Sequence, residues 1–323
     1  MRAIVSVASM RSAGLKLVLL LAVTVLVLVG SLFVGPVWNA PWQIIWDIRL
    51  PRTLLALIVG SGLAAAGATF QGVLRNPLAD PFILGTSSAA AAGVMMSSVM
   101  GFNHYSALYC LSLGFALFSI FLVYRIARMQ GRAQVQTLVL TGVVVSLFFN
   151  AAVFLVFSIF YRESFTTLFY LLGSLTEGEP TLILVSSAII IFGFALTWLY
   201  ARELNLLTQG EEAAQHLGVE VERIRKILFV AASAMVAAAV AVAGMIGFVG
   251  LIVPHMMRII MGPDHRILLP ASALGGAVFL LLADGVARTA IPPLEIPVGA
   301  ITALIGSPYF IYLLRRRQRE GQF

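Results

Sequence analysis

Ten apolar stretches, most of them about 18 residues or longer, constrain this chain more than any other feature. They cover residues 14–34, 52–73, 82–100, 107–127, 136–160, 181–200, 226–244, 247–260, 267–290 and 298–314. In hydrocarbon, backbone N–H and C=O groups find no water, so a crossing segment must satisfy them internally as a helix. With 60% apolar and 11% charged residues, the chain has too few polar groups to cover a water-soluble surface. The expectation is an all-α, polytopic membrane protein with about ten transmembrane helices, residues 1–323 forming one membrane domain. The eighth stretch is short and is expected to be tilted, broken or only partly spanning. Leu17–Val34, behind Arg2, Arg11 and Lys16, is longer than a signal-peptide core and no A-x-A-like site follows it, so it reads as a retained first span.

An even number of crossings puts both termini on one side. If that side is the cytoplasm, the inner segments collect 17 of the 21 Lys and Arg residues and leave Arg49, Arg52, Arg162 and Arg288 outside. Cytoplasmic loops favour Lys and Arg, which orients the chain in the cytoplasmic (inner) membrane with both termini inside. Trp38, Trp42 and Trp46 then form an aromatic anchor at the outer interface. The net charge of +7 is accounted for by topology rather than by affinity for nucleic acid. The basic run Arg315–Arg319 reads as a topology lock, with contact to anionic membrane lipid second.

One polar island interrupts the apolar pattern. Residues 201–226 hold nine charged side chains: Arg202, Glu203, Glu211, Glu212, Glu220, Glu222, Arg223, Arg225 and Lys226. Gly210 punctuates the island, Glu211 and Glu212 suit the first turn of a helix, and Gly218 stands where that helix ends. Ala213, Ala214 and Leu217 fall at helical spacing, while Val221, Ile224 and Leu228 carry the period into the next span. Two short helices at the cytoplasmic membrane surface are expected, in place of a slack loop.

Elsewhere, Asn76 before Pro77 makes a turn, and Asp80 with Pro81 caps the start of the third span. Small residues at four-residue steps (Gly60, Ala64, Ala68, Gly72, then Gly85, Ala89, Gly93) read as helix-packing surfaces. An outer loop after span five carries an apolar centre, Phe165–Leu172, expected to lie as a surface helix. A second outer loop, Thr289–Pro297, holds three prolines and Glu295.

No catalytic constellation is present. His104, His216, His255 and His265 are scattered without metal-ligand spacing, and the single Cys110 forms no intrachain disulfide. Lys16 and Lys226, the only lysines, are not preceded by glycine, so there is no phosphate-binding loop and no ATP hydrolysis is expected from this chain. An ion-gradient-driven secondary transporter is the alternative to weigh, since such carriers use intramembrane ionisable groups. The clear instance here, Asp284 with Arg288, is one turn apart and reads as a structural ion pair.

Three runs carry a resemblance: RLPRTLLALIVGSGLAAAGATFQGVLRNPLADPFILGTSSAAAAG, GFVGLIVPHMMRIIMGPDHRILLPASALGGAVFLLLADGVAR and LEIPVGAITALIGSPYFIYLLRRR. Together they resemble the FecCD/BtuC-like ABC transporter permeases, importers of iron-siderophore complexes, haem or cobalamin. The resemblance covers the chain nearly end to end and implies a type II importer permease. It implies a second permease subunit, most simply an identical copy, two ATP-binding subunits that keep ATP and Mg on their own chains, and an extracytoplasmic substrate-binding protein. No cofactor, metal site or nucleic acid is implied for this chain. Residues 201–226 become coupling helices, with Glu211, Glu212, Ala213, Ala214, Leu217 and Gly218 in the ATPase contact. Arg49, Arg52, Arg162 and Arg288 become candidates for docking the binding protein, and Gln134, Val135 and Gln136 for an inner gate.

Overall fold

The computed structural model describes residues 2–36, 40–102, 104–129, 132–133, 135–160, 172–175, 179–292 and 294–319. Ten helices match the ten apolar stretches: α1 Arg2–Phe33, α2 Trp42–Val73, α3 Thr86–Val99, α4 Tyr105–Ala127, α5 Val135–Ile159, α6 Pro180–Leu199, α9 Val221–Ala243, α10 Val249–Met261, α11 His265–Thr289 and α12 Val298–Arg319. Two short helices, α7 (Ala201–Thr208) and α8 (Glu211–His216), lie between α6 and α9. Among the described residues, seven helices are long and apolar enough to cross a membrane; α3, α10 and the apolar part of α12 are shorter. The 13 residues of α10 reach only about 20 Å, short of the ~30 Å hydrocarbon core, which fits the expected incomplete span. A two-stranded hairpin, Arg128–Met129 against Arg132–Ala133, joins α4 to α5 and was not anticipated.

Helix α2 starts ten residues before the sequence pattern suggested. Pro51 has no N–H to give the preceding turn, and the chain accommodates it with a π-helical turn over Ile45–Arg49, in which Leu50 N–H reaches Ile45 O. The helix therefore continues back to Trp42. Trp42 and Trp46 are exposed on this extension, and Trp38 lies outside the described residues.

The centre of the bundle is built from α2, α9 and α11, with α10 laid against them. Along their apolar windows α2 and α9 are 78% buried, whereas α5 and α6 are 22% buried and turn most of their side chains outward. Close approach over small residues explains the arrangement. A Cβ on Gly60 would collide with Gly276 O, and one on Gly67 with Gly250 O, so α2 meets α11 and α10 backbone to backbone. Gly93 meets the backbone of α4 at Leu111 in the same way. Of the small residues named above, Gly85 serves a different purpose: its φ of +83° ends the 3-10 turn Pro81–Leu84. Asp80 caps that turn by accepting from Phe82 N–H at 2.9 Å. Desolvation lifts its carboxyl to about 6 against the pull of that bond.

The chain breaks between α9 and α10. Gly244 (φ +71°) and Phe248 (φ +69°) are both left-handed, and the Phe248 ring packs where a Cβ on Gly306 of α12 would sit. Ser174 N–H and Gly299 N–H lie near this break, bonding Ala243 O and Gly173 O. The expected outer helix Phe165–Leu172 falls, apart from Leu172, outside the described residues, as do Arg162 and Gln134. Val135 and Gln136 open α5.

The backbone contact between α2 and α11 sets a direct expectation. Gly276→Ala should lower stability by roughly 1–3 kcal/mol through overpacking, read as an earlier thermal midpoint in detergent. Gly30→Ala, with open space around it, should leave the midpoint in place.

Candidate functional site

The polar island folds as a knob with its own small core. Helix α6 ends at Leu199, and α7 turns off through Tyr200. Gly210, at φ +129°, makes the corner into α8. Helix α8 then stops in a Schellman motif: Gly218 N–H bonds Gln215 O at 2.9 Å and Val219 N–H bonds Ala214 O at 3.0 Å, with Gly218 left-handed at φ +82°. Both glycines do what the sequence suggested, because both positions demand a backbone that a side chain resists.

Beneath the knob, Leu204 and Leu207 of α7, Ala214 of α8, and Val221, Ile224 and Leu228 of α9 pack with Val73 as a cluster separate from the main core. The predicted apolar face of α8 divides in two. Ala214 is fully buried in this cluster, whereas Ala213 is exposed and Leu217 is 66% exposed. The helix is a single layer on the bundle, so only one of its two apolar edges has anything to pack against.

Ion pairs fix the knob to the bundle. Arg225 of α9, nearly fully buried, pairs with Glu211 at the start of α8 and with Glu222 at 2.9 Å. Arg75 reaches Glu211 at 3.5 Å from a left-handed position (φ +50°) just past α2. Glu211, which the resemblance placed in the ATPase contact, thus spends its carboxylate on holding the knob down. A second tie uses Asn205 of α7. Its Nδ2 donates to Asp264 Oδ1 at 2.7 Å, while its Oδ1 accepts from His265 N–H at 2.9 Å and from His265 Nδ1 at 2.7 Å. Trp198 Nε1–H also bonds Arg266 O at 3.1 Å.

What remains outward is compact: Glu212, Ala213, His216, Leu217 and Gly218 are all exposed. Beside them runs an open groove of about 700 Å³ bordered by Tyr200, Asn205, Leu217, Glu220, Arg223 and Arg266. An exposed leucine on a rigid, anchored, charged-rimmed knob is a surface suited to a protein partner. No cluster of His, Cys, Asp or Glu able to hold a metal occurs among the described residues.

At the opposite end of α11 lies a buried charge network. Asp284, fully buried, pairs with Arg52 Nε at 2.8 Å and with Arg288 Nη2 at 3.0 Å, and Arg52 Nη1 continues to Glu295 at 2.7 Å. Arg288 also donates to Val34 O and Ser31 O, and Arg49 to Leu32 O, so these side chains stitch the end of α1 to α2 and α11. The Asp284–Arg288 pair was legible as an i, i+4 pair; Arg52 and Glu295, distant in sequence, were not. The same burial bears on docking. Arg49, Arg52 and Arg288 are 5%, 7% and 4% exposed, engaged inside the chain rather than displayed at a mouth. Asp284 is likewise engaged, held between two guanidinium groups.

Comparison with known proteins places this architecture. The FecCD transport family model matches residues 16–316. The chain is 45% identical over 276 residues to the cobalamin import system permease protein BtuC of Halobacterium salinarum, covering 85% of this chain and 74% of that one. It is 40% identical over 327 residues to the hemin transport system permease protein HmuU of Yersinia pestis, covering 95% and 98%. A solved structure described as an inward-facing conformation of a metal-chelate type ABC transporter superposes with a TM-score of 0.86 at 34% identity, over 94% of this chain and 99% of that one.

The divided face of α8 separates two substitutions three residues apart. Ala214→Asp buries an unpaired carboxylate, so protection of the 211–218 amides should drop by about 2 kcal/mol or more in hydrogen exchange. Leu217→Asp, already in solvent, should leave that protection unchanged.

Proposed function

This chain belongs to the FecCD transport family, and we propose on that premise that it is the membrane-spanning permease subunit of a binding-protein-dependent ABC importer for a bulky metal chelate. Iron-siderophore, haem and cobalamin are the candidate cargoes, the last two matching what the relatives' names state. The single observation that carries the mechanical part is the knob. It has its own core, it is tied by ion pairs and hydrogen bonds to α9 and α11, and it leaves Leu217 bare beside Glu212, Ala213 and His216.

A permease without a nucleotide site must receive work from a neighbour, and work passes only through something stiff. In this reading two ATP-binding subunits, carrying ATP and Mg, grip the outward edge of α8 in the cytoplasm. A second copy of the permease lies across the translocation path, and a binding protein delivers cargo from the other side. Arg52 and Arg288 take part in that delivery only where the binding protein's carboxylates replace Asp284 and Glu295 as their partners, and Arg49 only where a carboxylate draws it from Leu32 O. Val135 and Gln136, at the start of α5 and next to the hairpin, stand where an inner gate would close. Against an ion-gradient carrier, the clear intramembrane carboxylate, Asp284, is ion-paired with Arg52 Nε at 2.8 Å and Arg288 Nη2 at 3.0 Å, which disfavours it as an ion-relaying group.

The test reconstitutes the chain with its ATPase and binding protein in vesicles. Uptake should require ATP and survive an uncoupler. Leu217→Asp should cut ATP-driven uptake roughly 5- to 150-fold, the span of ordinary coupling energies, with the bundle still folded. Full ATP-dependent uptake by that variant, or uptake driven by an ion gradient without ATP, would overturn the reading.

A further inference from the structure

We propose that the Asn205–Asp264–His265 cluster is the joint by which the knob moves the central helices, with Asn205 as the positioning residue. The inference rests on the importer reading above and adds to it the place where motion enters the bundle.

The bonding scheme has one consistent assignment. Asp264 Oδ1 caps α11 by accepting from Arg266 N–H at 3.0 Å, and the same oxygen accepts from Asn205 Nδ2. The amide of Asn205 is thereby oriented, with its oxygen facing the first residue of α11. That oxygen accepts twice from His265, once from the backbone N–H and once from the ring, so the ring carries its proton on Nδ1. His265 Nε2, without a hydrogen-bond partner and in a residue only 3% exposed, faces the end of α2: a Cβ on Gly72 would stand 2.8 Å from it. One imidazole therefore touches α7, α11 and α2 at once.

The rest of the contact between α7 and these helices is apolar. Ala201 packs with Ala68 and Leu269, and Leu204 lies against the same Gly72. Apolar faces hold two helices together while tolerating sliding, since burial is non-directional. Hydrogen bonds lose strength steeply with angle. The three-residue clamp is thus the part of the joint that resists shear. Downstream, α11 is locked to α2 by the Gly60–Gly276 contact and again by Arg52–Asp284 at the far end. A pull on α7 delivered through the clamp reaches α2 and α11 as one body.

Exchanging the two partners tests the joint. Asn205→Asp sets two carboxylates against each other and opens the clamp. Adding Asp264→Asn restores the bonds across the joint: the new amide nitrogen donates to the new carboxylate, which still accepts from His265, and only the Arg266 cap, made in the parent by that same atom, is given up. In reconstituted vesicles, the single variant should keep ATP hydrolysis within about twofold while cargo moved per ATP falls at least about fivefold. The double variant, which remakes the bonds between α7 and α11, should recover most of the parent ratio. A single variant with an unchanged ratio, or a double variant as defective as the single, overturns the proposal. A second measurement needs no transport. In the isolated permease, Asn205→Asp should speed amide exchange in residues 201–208 and 265–272 together by about tenfold, and the swap should reverse most of the change in both. If the two segments respond independently, the joint is refuted whatever the vesicles do. If the parent complex shows no ATP-driven uptake while exchange behaves as stated, the importer reading fails and the clamp stands.

Discussion

Backbone-to-backbone contact at glycine holds this structure together. Lipid chains are as apolar as leucine, so helices in a bilayer gain little from hiding side chains and much from approaching closely. Gly60, Gly67, Gly250 and Gly276 allow α2 to meet α10 and α11 at a distance no side chain would permit. The same contacts decide which helices are central. Once α2, α9 and α11 are fixed, the longer apolar faces of α1, α4, α5 and α6 are left outward, where lipid or a second subunit can cover them.

The knob obeys different rules because it stands in water. Its seven-residue core is driven by the hydrophobic effect, its ends are set by Gly210 and Gly218, and its ties to the bundle are charged or polar. Two regimes of stabilisation thus meet at Val73, Leu204 and His265. The lipid-facing regime gives stiffness over a long distance, and the aqueous one gives a surface that a soluble partner can read.

Local pattern carried most of the fold. Apolar runs located all ten long elements, and glycines in the polar island marked both ends of α8, because each is a property of neighbouring residues. Whatever depended on partners far along the chain stayed hidden. Arg52 and Asp284 are separated by 232 positions, and no periodicity links them. The inward engagement of Arg49, Arg52 and Arg288 was hidden for the same reason, since their partners lie on other segments. Helix position places Glu211 in the first turn of α8 but does not show that Arg225, fourteen residues on, pairs with it. Helix α2 ran longer than expected because a π-helical turn tolerated Pro51, a solution that composition does not announce. In the sequence His265 is one of four scattered histidines, since its partners Asn205 and Gly72 come from two other helices.

Helix α9 joins the knob's floor at Val221 to the break at Gly244–Phe248, an unbroken strut of 23 residues, about 35 Å long. A pivot so far from its foot magnifies rotation into travel. Turning the strut by about 5° about the Gly244–Phe248 break would carry its Val221 end by about 3 Å, a little over half the 5.4 Å rise of one helix turn. Such a rotation would give the bundle a long stroke for a small angle, with the least travel beside Gly306 and the most at Val221, where the knob's floor begins.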